Sequence, residues 1–146
     1  MSGKRRAVLA AMLALPLVCR AAAPDDIGGL PRRDWDAIRK VIREQLAALR
    51  RGDGKRAFAH ATSALQRQFV DADTFMRMVR DGYGALLVAR YTEFLEGAVI
   101  DGETIQPLRL VLPDNSVLVA LYTMQRDGTR WRIAGCVLAP STVKAA

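Results

Sequence analysis

The stretch VLVALYTMQRDGTRWRIAGCVLAP, residues 117–140, decides the fold class. Two runs rich in β-branched and aromatic residues flank Asp127-Gly128, a dipeptide suited to a tight hairpin turn. The second run alternates, with Trp131, Ile133 and Val137 expected on one side and Arg130 and Arg132 on the other, so one face should meet a core. The first run is apolar on both faces: Val117, Val119 and Leu121 on one, Leu118, Ala120, Tyr122 and Met124 on the other. That pattern suits a central strand, or one lining a pocket or an interface.

Working outward, the same residue preferences hold back to Gly84. Strands are expected at residues 86–95, 104–112, 117–126 and 130–138, with turns at Asp101-Gly102, residues 113–115 and Asp127-Gly128. Before Gly84 the periodicity is helical. Asp34 reads as an N-cap for a helix in which Trp35, Ile38, Val41, Ile42, Leu46 and Leu49 recur every three or four residues and Gly52 closes the end. A second helix should open at Asp53, bury Phe58, Ala61 and Leu65, and end within residues 66–69. A third should run over 73–81, with Phe75, Met78 and Val79 as its apolar side and Asp73 as its cap. Helices first and strands second predict one α+β domain over residues 34–140, three helices packed on a curved four-stranded antiparallel sheet, with a disordered tail at 141–146.

Residues 1–23 read as a secretory signal. Lys4, Arg5 and Arg6 precede an uncharged apolar run at residues 7–19, too short for a stable bilayer span. Val18 and Arg20 around Cys19 argue against lipid attachment. Residues 24–33, with two prolines and two glycines, read as an extended lead-in. Removal of the signal lowers the formal net charge from +7 to +3 and leaves no Lys/Arg cluster interleaved with aromatics, so nucleic acid is not an expected partner. A periplasmic or secreted location follows, and Cys136 is left without an intrachain disulfide partner.

The order of helices and sheet resembles the cystatin-like roll of the nuclear-transport-factor-2-like superfamily, which includes ketosteroid isomerase and polyketide cyclases. More specifically, VIREQLAAL (41–49), AFAHATSALQRQF (57–69), FMRMV (75–79), Tyr83 and ALYTMQRDGTRWRIAGCVL (120–138) are similar to a family of small exported bacterial proteins carrying a domain of unknown function. The resemblance runs through Gln45, Phe58, Gln66, Phe69, Phe75, Met78, Val79, Tyr122, Trp131, Gly135 and Cys136. Thr62-Ser63 and Gly84 depart from the family's pattern, where prolines are frequent, so the connection between the second and third helices should differ in shape. The resemblance implies fold and export, and no activity.

One histidine and one mature cysteine, far apart in sequence, do not make a metal site, and neither a Gly-rich phosphate loop nor GxSxG is present, so no metal or cofactor is expected. His60 is expected on the solvated face of its helix. Isomerase-like chemistry would need a carboxylate base, from Asp73, Glu93 or Glu96, in a pocket with a tyrosine donor from Tyr83, Tyr91 or Tyr122. The residue pattern favours a non-enzymatic module that binds a small ligand or protein partner, or assembles as a homodimer through the sheet. Tyr83, Tyr91, Tyr122 and Trp131 are the candidate contacts. Cys136 depends on register. Strict alternation would set it beside Arg130 and Arg132, which would activate the thiol, whereas a bulge at Gly135 would turn it inward to pack.

Overall fold

The computed structural model describes residues 26–141; the expected signal segment and nearly all of the tail lie outside them. Helix α1, Arg32–Arg50, buries Trp35, Ile38, Ile42, Leu46 and Leu49 along one stripe and stops at Gly52, whose φ of +72° favours glycine. Its start differs from the expectation. Pro31 occupies the N-cap, and Asp34 is buried in the first turn, where it accepts a hydrogen bond from Trp131 Nε1 (3.1 Å) and pairs with Arg126.

The single helix expected after Asp53 is two. Asp53 caps α2, Gly54–Ala59, by accepting from the Arg56 N–H (3.1 Å), and Thr62 caps α3, Ser63–Phe69, by accepting from the Leu65 N–H. Between them the chain extends to pair with the last strand: the Thr62 N–H donates to the Ile133 carbonyl (2.9 Å) and the Ile133 N–H to that of His60 (2.8 Å). Two strand-type bonds and a side-chain cap thus outweigh the few helical bonds lost in the break. Asp71, not Asp73, caps α4, Ala72–Gly82, by accepting from the Thr74 N–H at 2.8 Å. Residues 86–88, expected to open the first strand, belong instead to a short helix α5, Gly84–Val88.

The lead-in carries a two-stranded ribbon, β1 Asp26–Ile27 and β2 Leu30–Pro31. The main sheet has five strands: β3 Tyr91–Phe94, β4 Ala98–Ile100, β5 Glu103–Val111, β6 Val117–Asp127 and β7 Arg130–Pro140. All pairs are antiparallel in the order β3-β5-β6-β7, and β4 also pairs with β5. The fold is therefore α+β, with five helices, one more strand than expected in the main sheet, and a separate ribbon.

The helices cover one sheet face, on which Leu108, Leu110, Ala120, Tyr122, Met124, Trp131 and Ile133 meet the α1 stripe. Gln106 is also there, fully buried and fully bonded: its amide donates to the Leu95 and Pro107 carbonyls and accepts from Arg39 Nε. The opposite face carries Pro107, Val119, Leu121 and Val137. Val137 was expected inward. The register of β7 slips between Thr123 and Met124 of its partner, so that Ile133 opposes Met124, Gly135 opposes Thr123 and Ala134 is extra. This bulge reverses the alternation, leaving Val137 61% exposed outside and setting Cys136 opposite core-facing Tyr122.

Candidate functional site

Beneath the bulge lies a cavity of about 400 Å³ between α1, α3, α4, α5 and the last two strands. Leu49, Phe69, Phe75, Val79 and Leu86 form its apolar wall. Phe75 anchors that wall, with its ring 5.4 Å from Phe58 and 5.8 Å, edge-on, from Phe69. The polar groups in the lining are Gln45, Gln68, Tyr83, Tyr122 and Cys136, together with backbone of residues 134–136. Each is placed by a distinct device. Gln45 rides the buried stripe of α1. Tyr83 stands at the C-cap of α4 and its hydroxyl donates to the Cys136 carbonyl at 2.8 Å, while Tyr122 projects from the middle of β6.

Two of these groups are held in an uncommon state. The Tyr122 hydroxyl is buried with no hydrogen-bond partner among the described residues, and burial, with Cys136 beside it, pushes its pKa well above the usual phenol value. It is therefore a permanent donor awaiting an acceptor. Burial also pushes the Cys136 thiol up to about 12, which makes it a small packing group with little thiolate at neutral pH. Tyr83 is raised too, by burial first and Cys136 second. Gln45 is buried and makes no side-chain hydrogen bond with the described residues.

Of the candidate contacts, Tyr83, Tyr122 and Cys136 converge here. Tyr91 and Trp131 do not. Tyr91 is 52% exposed at the start of β3, and Trp131 sits at the far end of β7 with Arg126 4.8 Å over its ring. The carboxylates considered for catalysis are elsewhere as well: Asp73 is exposed on α4, Glu93 pairs with Arg109 on the outer sheet face (2.6 Å), and Glu96 is exposed. The described lining of the cavity contains no carboxylate, so the base-and-tyrosine arrangement is not assembled there. Gln68 was missed as a contact because a lone glutamine in an exposed turn of helix carries no pattern. His60, expected to be solvated, is part-buried behind α1.

Among the described residues no group of three or more His, Cys, Asp or Glu side chains is placed to hold a metal ion, and no helix is long and apolar enough to cross a membrane. No curated protein and no solved structure matches the chain. A family model does match, over residues 32–146, which takes in every lining residue of the cavity and everything from α1 onward. The chain belongs to the family described as domain of unknown function DUF4864.

Proposed function

We propose that this is an exported, non-enzymatic binding domain of nuclear-transport-factor-2-like type, whose cavity takes a small, largely apolar molecule bearing one hydrogen-bond acceptor. The observation that carries the reading is the unpartnered Tyr122 hydroxyl at the wall of an apolar cavity. A buried donor without a partner costs roughly 1–3 kcal/mol, and a ligand carbonyl or ether oxygen would recover it. Gln45 offers a second, amphoteric contact. Lys4, Arg5 and Arg6 ahead of an apolar run support export, and helices stacked on one face of an antiparallel sheet support the superfamily relation.

Native mass spectrometry of protein purified from its exporting host would report a retained ligand directly, and N-terminal sequencing of the same sample would report signal removal. Benzophenone, an apolar ketone, serves as a defined probe. Saturable amide shifts at residues 45, 122 and 136, weakened about tenfold in Tyr122→Phe, are expected from the loss of one hydrogen bond. No retained molecule together with no saturable shift would refute the reading.

A second reading, self-association through the sheet, is favoured by the uncovered outer face, where Val137 and Tyr91 are exposed beside Pro107, Val119 and Leu121. Sedimentation at high micromolar concentration tests it, and a strict monomer would exclude it.

A further inference from the structure

A second depression, of about 840 Å³, lies on the other side of α1, where α1 meets α2 and the start of β7. Three separate elements deliver cations to it: Lys40 from α1 and Arg51 from its C-cap, Arg56 from α2, and Arg130 and Arg132 from β7. Glu44 is the carboxylate in the lining, and it is already shared between Lys40 (3.9 Å) and His60 (3.8 Å). Arg56 and Arg130 make no side-chain hydrogen bond or ion pair with the described residues. Arg132 donates to the Ala59 carbonyl, but its Nε is buried without a hydrogen bond, 3.8 Å from Asp127. Ala37, Val41, Ala47 and Ala59 supply small apolar side chains between these charges, which leaves room and focuses the positive field into the depression.

We propose that this cleft is a binding site for phosphate-bearing ligands that carry two or more negative charges. Guanidinium forks match phosphate oxygens in bidentate geometry, and four arginines plus a lysine against Glu44 in the lining, Asp53 beside Arg51 (3.9 Å) and Asp127 beside Arg132 leave a surplus of two positive charges that a single monoanion does not neutralise. The volume is likewise generous for one inorganic phosphate and suits a di- or triphosphate or the phosphate-bearing head of a larger molecule. His60, the chain's sole histidine, faces Glu44, Arg56 and Arg132 at the rim, and burial first, then the two arginines, hold its pKa below the usual value. It is thus a neutral hydrogen-bonding neighbour for the ligand.

A phosphate of this kind comes from a soluble ligand or from a lipid headgroup, and two arms of one experiment separate these sources. Calorimetry of the full chain in low salt with inorganic pyrophosphate is the first; flotation with vesicles containing cardiolipin, whose headgroup carries two phosphates, against pure phosphatidylcholine, is the second. Binding in either arm should weaken about 30-fold or more in the Arg56→Gln, Arg130→Gln double variant, whose side chains are exposed and leave the fold intact. The Arg33→Gln, Arg77→Gln pair, also exposed but outside the cleft, should change it less than about threefold. Pyrophosphate binding with these sensitivities assigns a soluble ligand, and vesicle binding alone assigns a headgroup. Absence of binding in both arms, or equal losses in the two double variants, would overturn the proposal.

Discussion

Cys136 should be close to inert in the folded protein, and the extent follows from its burial. In the unfolded chain the thiol titrates near 9.0; in the fold it is pushed up to about 12. At pH 8 roughly one-tenth of the unfolded thiol is thiolate against about one part in ten thousand in the fold, so alkylation by iodoacetamide should slow about 1,000-fold. The same shift is a stability statement. The folded pKa lies above the unfolded one, so the contribution is fully present below pH 9 and is lost as pH rises toward 12, by at most about 1.4 kcal/mol per pH unit. Between pH 9 and 10 the loss should be about 1 kcal/mol, before Tyr122 and Tyr83 add theirs above pH 10. Rates read from the mass of the Cys136 peptide, separate from that of Cys19, and urea midpoints at pH 8, 9 and 10 measure both quantities. Cys136→Ala should abolish the pH 9–10 decline. An alkylation rate within tenfold of the denatured chain, or equal pH slopes in wild type and variant, would refute the inward placement of the thiol.

Tyr122→Phe removes a hydroxyl with no partner, so the ligand-free protein should be unchanged or up to about 1 kcal/mol more stable in urea denaturation, whereas loss of a bonded hydroxyl would cost about that much. Gly97→Ala would set a Cβ 2.3 Å from the Trp35 ring, whose indole is tied to the Ile27 carbonyl; overpacking of this kind should cost about 1–3 kcal/mol, read as a lower melting temperature. His60 should titrate below 6.5 in a proton NMR series, and Glu44→Gln should move its midpoint further down, because the Glu44 carboxylate is the group that raises it against burial.

The fold class was readable because its signals are periodic. The α1 stripe, the glycines at Gly52 and Gly102, and the β-rich second half each repeat a spacing that only one local structure satisfies. What escaped was set by single contacts between distant segments. The break at residues 60–62 depends on Ile133, seventy residues on, and the extra helix α5 replaces the start of a strand that had the right composition but no partner edge to pair with. Asp34 looked like a cap because its type suits one, and became a buried acceptor because Trp131 and Arg126 arrive over it from the far end of the sheet.

The candidate cavity exposes the same divide in one residue. Gly135 announced a possible irregularity, yet two registers of β7 were compatible with its side-chain pattern, one with Cys136 beside the arginines and one with it beside Tyr122. The parallel bridge at Ala61 and the Tyr83 bond to the Cys136 carbonyl fix the strand on either side of the bulge, at Ile133 and at Cys136. The one-residue slip between those anchors carries Val137 out and Cys136 in. It also opens the cavity against backbone at residues 134–136 and places the thiol next to the phenol of Tyr122. A variant that deletes Ala134 would remove the extra residue and straighten β7 while leaving Cys136 opposite Tyr122 and Val137 outside, so the thiol should stay inert and only the backbone wall of the cavity at residues 134–136 should change; it is the register the bulge sets, and not the bulged residue itself, on which the inward thiol depends.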